Sequence, residues 1–345
     1  MKEFTIPKPS DQIIPQVSNL FKASLFVSLL LASFSTAQIA ANQLDTYFLA
    51  SQNPLYIVLK WSAIIILAIF NCMLLTGIGV VAHEGIHGVL VKNRFGNELL
   101  GGLLSSLVMT LPFYANRQFH LTHHRYTHQI GLDPEESLHN HPFIIAFIFG
   151  GFIALYQHYK IVAANLSGFW AGDWKKGVRG LKDLGFISFS LAFYFYLLPL
   201  LGMSLWYTFV PTFLLVPLVY SYRALCDHYA FVPAISPAER KSYKLIVSTD
   251  EEIQDTKYDK YQVDSWVVLT NPLMNWWWSH INYQQVHHRY PYLSHHYLPQ
   301  IYEATKDEQP YAVAKGYWRC LWYNTKLKYY SKPEEIEPFI TQPSV

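Results

Sequence analysis

Histidines at helical spacing are the residues of this sequence with the clearest capacity for chemistry. The chain contains 15 histidines in 345 residues. Three groups have members three or four residues apart, namely His83 and His87 in HEGIH, His120, His123 and His124 in HLTHH, and Gln284, His287 and His288 in QQVHH. Residues with this spacing lie on one face of a helix, so each group can direct its side chains towards one point. Neutral imidazole binds zinc, copper, iron or nickel, and the pattern therefore predicts metal binding.

The number of histidines indicates two metal ions. His228 lies a few residues after the apolar segment 203–222 and adds another imidazole to the three groups. A catalytic zinc ion takes about three protein ligands, so these imidazoles exceed the need of a single ion. The cysteines Cys72, Cys226 and Cys320 are far apart and indicate neither a disulfide framework nor a cysteine metal site. An all-nitrogen site for two ions beside lipid fits iron that activates oxygen.

HEGIH taken alone supports a different interpretation, because it matches the HExxH pattern of zinc proteases. In an intramembrane zinc metalloprotease, Glu84 would activate the water that attacks the substrate. That alternative leaves the histidines of HLTHH and QQVHH without a role. We therefore favour Glu84 as a residue that orients an imidazole.

The composition predicts an integral membrane protein. Hydrophobic residues make up 51% of the chain and charged residues only 14%, whereas a soluble domain has about 25% charged residues. The net charge of +2 is too small to suggest nucleic acid as a partner. We predict an all-α integral membrane fold with four transmembrane helices, additional interfacial helices and a cytoplasmic histidine-rich cap.

Six apolar segments account for this fold. Those at 23–41, 55–82, 184–201 and 203–222 are predicted to cross the bilayer, since about 20 apolar residues are needed for a crossing helix. The segments 99–114 and 143–163 are interpreted as interfacial or re-entrant, because a crossing by either would place histidine groups on opposite sides of the membrane. A fifth span at 143–163 is the alternative.

The distribution of lysine predicts the orientation. The N-terminal tail carries Lys2, Lys8 and Lys22, whereas the loop 42–54 has no basic residue. By the positive-inside rule, both termini and the histidine groups are cytoplasmic. We expect a cytoplasmic tail at 1–22, a membrane domain at 23–300 that holds the histidines, a cytoplasmic tail at 301–345, and no cleavable signal peptide.

The three histidine boxes, in this order and between paired apolar segments, resemble the membrane fatty acid desaturase superfamily. Further points of similarity are Asp133, Pro134 and Glu135 after the second box, the NYQ–HH–YP frame around the third box, and Asp227-His228-Tyr229. The resemblance runs from about residue 60 to residue 300. It implies a histidine-coordinated di-iron centre on four spans, with O2 as co-substrate and electrons from an external donor.

The boxes and this resemblance predict the site residues. The expected iron ligands are His83, His87, His120, His123, His124, His228, Gln284, His287 and His288. No residue beyond the ligands is expected to be catalytic. The residues expected to support the ligands are Glu84, His128, Asp133, Asp227 and Asn282.

Gln284 is a departure from the family pattern, in which the third box usually reads HxxHH. Gln284 could ligate through its carbonyl oxygen or hold a water molecule. His280, placed one helical turn before it, is a possible additional ligand. His295 and His296 are left out of the ligand set, because Pro291 should interrupt the helix of the third box.

The predicted reaction is desaturation of the acyl chain of a lipid-like substrate. Hydroxylation or ketolation of an acyl, alkyl or terpenoid substrate is the alternative, since the same ligands serve both outcomes. The sequence has neither the GxGxxG dinucleotide pattern nor the His-Pro-Gly-Gly signature of a fused cytochrome domain. A separate electron donor, such as a ferredoxin or a cytochrome, is therefore expected to dock on the basic cytoplasmic residues.

Overall fold

The computed structural model describes residues 5–8, 10–11, 13–128, 131–139, 141–229, 231–233, 263–327, 330–331 and 333–341. Its α-helices are α1 (Gln16–Ser51), α2 (Leu55–His87), α3 (Arg94–Leu107), α4 (Phe113–Tyr126), α5 (Glu136–His139), α6 (Phe143–Leu166), α7 (Trp174–Ala192), α8 (Leu198–Leu200), α9 (Phe209–His228), α10 (Pro272–Trp277), α11 (Gln284–Arg289), α12 (Leu298–Thr305), α13 (Tyr317–Lys326) and α14 (Pro333–Ile336). A π-helical stretch, Phe193–Leu197, joins α7 to α8. The short strands are β1 (Val232–Pro233), β2 (Trp266–Leu269), β3 (Tyr311–Lys315), β4 (Tyr330–Ser331) and β5 (Ile340–Thr341).

The predicted all-α membrane fold is confirmed. Five helical segments of the described chain are long and apolar enough to cross a bilayer, namely Gln16–Ser51, Leu55–His87, Phe143–Phe169, Trp174–Leu200 and Phe209–His228. This is one more than the four predicted, and the additional segment is Phe143–Phe169, which we expected at the interface. Length and composition do not show whether this segment crosses the bilayer or lies at the interface, so its interfacial position stays a prediction. Helix α3 has only 14 residues and is shorter than a spanning helix, which needs at least about 17.

Residue contacts divide the chain into two compact units. The helical unit comprises Gln16–Ala115 and His158–Val219, and the histidine unit comprises Met1–Pro15, Asn116–Gln157 and Tyr220–Val345. The histidine unit includes residues on both sides of position 300, and the tail expected from residue 301 stays a prediction. Tyr311 and Ala312 are fully buried, because strand β3 completes the sheet of the histidine unit.

In the helical unit, α3 fixes the C-terminal end of α2, where HEGIH lies. A Cβ atom on Gly85 would lie 3.0 Å from Cα of Gly101, so the two backbones approach more closely than side chains would allow. The side chain of Asn97 donates to the carbonyl of Gly85 over 2.8 Å and accepts from the N–H of Leu90 over 3.0 Å. Gly88 ends α2 at φ 79°, a conformation that glycine adopts without strain.

The first turn of α4, the helix of the second box, is held by a carboxylate from α7. Asp183 is fully buried and accepts from the N–H of Tyr114 over 2.7 Å and from that of Ala115 over 2.9 Å. These N–H groups have no partner within their own helix, and an anion at a helix N-terminus is stabilised by the helix dipole. Asp183 thus caps α4 from outside the helix.

In the histidine unit, a small sheet positions the third box. Strand β2 pairs in parallel with β3, with Val267 opposite Val313, and β3 pairs antiparallel with β5. Gln285 in α11 donates to the carbonyl of Pro310 over 2.8 Å and accepts from the N–H of Ala312 over 3.1 Å. The neighbour of the box glutamine therefore ties α11 to the start of β3.

Candidate metal centre

Three helical segments that lie in the histidine unit bring histidines to a common point. His123 lies on α4, His228 is the last residue of α9 and His288 lies on α11. One ligand nitrogen of each lies within 4.8 Å of the others. The Nε2 atoms of His123 and His288 are 3.3 Å apart. This set is called the first histidine group.

The other ring nitrogen of each member contacts an acceptor. His123 Nδ1 lies 2.9 Å from Oδ1 of Asp133, and His288 Nδ1 lies 3.2 Å from Oδ2 of Asp264. His228 Nδ1 lies 3.4 Å from the backbone carbonyl of Asp264. An Nδ1–H that donates to an acceptor leaves Nε2 deprotonated and able to bind a metal, and it fixes the plane of the ring.

The second histidine group consists of His120, His124 and His287. His124 Nε2 lies 2.9 Å from His120 Nε2 and 3.1 Å from His287 Nε2. The rings of His120 and His287 are nearly parallel, with an interplanar angle of 13°. The second and third boxes therefore contribute to both groups.

These distances fit metal coordination. Two imidazole nitrogens bound to one ion at about 2.0–2.1 Å, with an angle of about 90–110° between them, are about 2.9–3.4 Å apart. The Nε2 separations of 2.9, 3.1 and 3.3 Å fall within that interval. Lone pairs that converge at this separation repel one another unless a proton or a cation lies between them, so both groups suit a bound metal ion.

Gln284 lies beside the first histidine group. Its Nε2 is 3.0 Å from Nε2 of His228, and its Oε1 is buried with no hydrogen-bond partner among the described residues. A 180° turn of the amide exchanges the two atoms without changing the shape of the side chain. That turn brings the unpartnered oxygen, a metal-binding atom, to the place next to His228.

The electrostatics of His123 indicate a site that prefers a cation. Burial lowers the pKa of its imidazole, but the carboxylates of Asp133 and Glu135 raise it, and the net pKa is about 9. Burial likewise raises the pKa of Asp133, and the neighbouring His123 outweighs this and holds it below its usual value. A metal ion at Nε2 would displace the proton and supply the positive charge that these carboxylates stabilise.

His83 and His87 lie in the helical unit, in the last two turns of α2. Their ring centroids are 4.8 Å apart and both side chains are half-buried. Glu84, next to His83, is almost fully buried. The spacing of the first box thus places its two imidazoles side by side, as the sequence predicts.

Residues 59–319 match the model of the fatty acid desaturase family. The chain belongs to this family. A stretch of 63 residues, 18% of the chain, is 33% identical to 20% of beta-carotene 4-ketolase 3 from Haematococcus lacustris. Another of 113 residues, 29% of the chain, is 32% identical to 26% of a delta(12) fatty acid desaturase from Mortierella isabellina. The chain therefore matches only a minor part of the length of each relative.

In this desaturase-family protein, the residues expected to support the ligands contact different groups, and only some of these groups belong to candidate ligands. Asp133 accepts from the backbone N–H of His128 over 2.8 Å, besides its contact with His123. Asp227 forms an ion pair of 2.9 Å with Arg223, one turn earlier in α9. Asn282 donates to the carbonyl of Val268 over 2.8 Å and so joins the third box to β2.

His280 does not have the helical relation to Gln284 that we expected. Helix α11 begins only at Gln284, and His280 lies in a turn with φ 62°. The assumption of one continuous helix was therefore wrong, although His280 as an additional ligand stays untested. The preceding helix, α10, ends at Trp277, so His280 lies in the turn between α10 and α11.

Sequence reasoning missed Asp264 and undervalued His295. Asp264 contacts His288 and His228 as described above, but no box motif includes a carboxylate 20 residues before Gln284. The ring centroid of His295 lies 5.0 Å from that of His287, and its side chain is buried. Pro291 does follow the end of α11, as expected, but the chain then turns back and a 3-10 helix, His295–Tyr297, brings His295 to the box.

Proposed function

We propose that this protein is a membrane di-iron oxidoreductase that uses O2 and external electrons to desaturate the acyl chain of a lipid-like substrate. The observation that carries the proposal is the pair of histidine groups, each with Nε2 atoms at metal-coordinating separations. Two groups support two ions, and the family match supports the iron-dependent chemistry of desaturases.

In this proposal the chain's own residues hold and orient the ions. His123, His228 and His288, with Gln284 beside them, would hold one iron, and His120, His124 and His287 would bind the other. His83 and His87 complete the ligand set, as the box pattern implies. Bound iron supplies the capacity to activate O2 for removal of hydrogen from an unactivated C–H bond. Carboxylates such as Asp133, which contacts Nδ1 of His123, would orient the imidazoles so that Nε2 is available to the metal.

We propose that Phe143–Phe169 does not cross the membrane. His123 and His228 belong to one histidine group, so an even number of crossings must separate them. Three long apolar segments lie between them, Phe143–Phe169, Trp174–Leu200 and Phe209–His228. The last two are joined by the uncharged residues 201–208 and have basic residues at their other ends, which favours a hairpin of two crossings. The basic flanks favour a cytoplasmic site and cytoplasmic termini.

The electron donor is proposed to be a separate ferredoxin or cytochrome. Lys175 and Arg179 are exposed near the start of α7 and are four residues apart, so they project from one face. Acidic donors are steered to such basic residues, and this steering weakens with salt. Replacement of both by glutamate should slow donor-dependent turnover several-fold at low salt, whereas reduction by a small uncharged chemical donor should remain as in the wild type.

Lipid mass spectrometry of expressing cells tests the reaction. The proposal predicts lipids about 2 mass units lighter than their precursors, which appear with the wild type and are absent with a His123→Ala/His288→Ala variant. Metal analysis of the purified protein is expected to give iron. One zinc ion without iron, together with a hydrolytic activity that requires Glu84, would support the metalloprotease alternative and contradict the proposal.

Oxygen insertion is the second candidate function. The similarity to a beta-carotene 4-ketolase, which covers 18% of this chain, favours it. Hydroxylation would add about 16 mass units to an acyl, alkyl or terpenoid lipid in the same experiment. Ketolation, which adds one oxygen and removes two hydrogens, would add about 14 mass units. Either product without any desaturated lipid would favour oxygen insertion over desaturation.

A further inference from the structure

We infer that Asp264 is a positioning residue of the metal centre, which fixes two ligands of the first histidine group, His228 and His288, at the same time. The inference rests on the proposed di-iron function and adds a residue that belongs to no histidine box. It follows from the contacts of one residue with side chains from three separate elements.

The carboxylate of Asp264 orients the imidazole ring of His288. Its Oδ2 lies 3.2 Å from Nδ1 of His288, which directs the Nε2 of that ring towards His123. Its Oδ1 accepts from the hydroxyl of Ser265 over 2.7 Å. Because Ser265 occupies one oxygen, the carboxylate presents the other to His288 in a fixed orientation.

The backbone carbonyl of Asp264 acts on two further histidines. His228 Nδ1 lies 3.4 Å from this oxygen, and Nε2 of His128 forms a short hydrogen bond with it. The backbone carbonyl and the side chain of Asp264 thus contact the last residue of α9, a candidate ligand on α11 and the second residue after α4. The chain segments that carry the first histidine group therefore meet at Asp264.

The backbone at Asp264 is itself held firmly. Trp266, two residues later, is fully buried and pairs with Ala312 at the start of the β2–β3 ladder. Its indole Nε1 lies 3.4 Å from the carbonyl of Tyr229, the residue after His228. The sheet therefore fixes the position from which Asp264 reaches both ligands.

A series of variants tests the carboxylate separately from the backbone. Asp264→Ala removes the carboxylate that contacts His288 Nδ1 and keeps the backbone carbonyl, while the more distant hydroxyl of Thr127, at 3.5 Å, remains. Asp264→Asn keeps an uncharged acceptor oxygen, and Ser265→Ala removes only the hydrogen bond that orients the carboxylate. Asp307, an exposed residue in the turn after α12, provides the matched control Asp307→Ala.

The full-length protein in nanodiscs is loaded with ferrous iron without oxygen and titrated with a ferrous chelator, and retained iron is counted by elemental analysis and Mössbauer spectroscopy. We expect Asp264→Ala to release one of its two ions at an approximately 10–100-fold lower chelator concentration, the usual effect of removing a residue that orients a metal ligand. Asp264→Asn and Ser265→Ala should shift less, and Asp307→Ala should match the wild type.

Three results would overturn the inference. Asp264→Ala could keep both ions with an unchanged Mössbauer spectrum. It could lose both ions together, or the metal-free variant could melt far below the metal-free wild type, and either result would indicate a purely structural role. A wild-type protein that binds no iron would instead contradict the proposed function, so the two failures are distinguishable.

Discussion

At the scale of the residue, Gln284 is where the site departs from the expected histidine pattern. It occupies the position that a third histidine would take, and it lies 3.0 Å from His228 Nε2. A glutamine offers a neutral oxygen ligand and does not take up a proton near neutral pH, so it could bind an ion without adding charge. Its neighbour Gln285 is also buried and bonds to the backbone around β3.

This pair allows a matched prediction. Gln284→Leu should lower iron affinity or turnover by about 10–100-fold, because the side chain beside His228 is lost, whereas Gln284→His should keep both ions. Iron content and product yield measure the effect. Gln285→Leu should keep the iron but lower the free energy of unfolding by about 1–3 kcal/mol, since two buried backbone groups lose their partners. Equal iron loss in both leucine variants would contradict a role for Gln284 at the metal.

Spacing predicted five of the six histidines in the two groups, and His228 was predicted from its place after an apolar segment and from the family resemblance. Asp133, the partner of His123, was also expected. Asp264 was not, because it reaches the site through the path of the chain between α9 and α11 and not through periodicity. His295 shows the same limit. Pro291 correctly predicts the end of a helix, but it does not predict that the chain returns to His287.

At the scale of the element, the glycine of HEGIH has a packing role that the metal pattern conceals. Gly85 lies where the backbones of α2 and α3 approach each other. Its lack of a side chain therefore sets the distance between the first box and α3. Gly79, two turns earlier on α2, has only ordinary contacts with the side chain of Val108, at 3.6 Å.

Alanine at these two positions should therefore have opposite effects. Gly85→Ala forces a Cβ to 3.0 Å from the Gly101 backbone and should destabilise the protein by about 1–3 kcal/mol. Gly79→Ala should be neutral or stabilise by up to about 1 kcal/mol, because alanine favours the helix. Melting temperatures in one detergent compare the two, and a Gly85→Ala variant as stable as the wild type would contradict close helix contact.

Asp183 and Asp173 form a second pair at this scale. Both accept from backbone N–H groups at a helix start, but Asp183 is buried and caps α4, whereas Asp173 caps the exposed start of α7 over 3.0 Å to Lys176 N. Asp183→Ala should lower the free energy of unfolding by about 2 kcal/mol or more, and Asp173→Ala by about 1 kcal/mol or less. Thermal melts of both variants measure the difference. A larger loss of stability in Asp173→Ala than in Asp183→Ala would contradict the role of Asp183 as the cap of α4.

At the scale of the whole molecule, the sequence predicted the membrane class, which is confirmed, and four crossings, a number that stays a prediction. Hydropathy does not distinguish Phe143–Phe169 from a transmembrane helix, because this segment has the length and composition of one. Only the proximity of His123 to His228 limits the count of crossings between them. The charged composition of residues 236–262 favours a cytoplasmic excursion, and these residues lie outside the part of the chain that the structure describes.

Labelling of single cysteines tests this topology. The native cysteines are buried, so new ones at exposed positions can be detected with a membrane-impermeant maleimide. We expect His141→Cys and Ala171→Cys, at the two ends of Phe143–Phe169, to be labelled from the same side of the membrane. Asn53→Cys, in the loop predicted to be outside, should be labelled from the other side. Labelling of residues 141 and 171 from opposite sides would make this segment a crossing.

The C-terminal pairing of the histidine unit has a consequence for biosynthesis. Asn324 on α13 donates to the carbonyl of Leu225 over 2.6 Å, three residues before His228, and β3 pairs with β2. Residues 311–324 are translated after all the histidine boxes and contact elements that carry candidate ligands. The apolar segments can enter the bilayer during translation, but the candidate ligands reach their final arrangement only after residues 311–324 have left the ribosome, so a metal ion would be inserted after that stage.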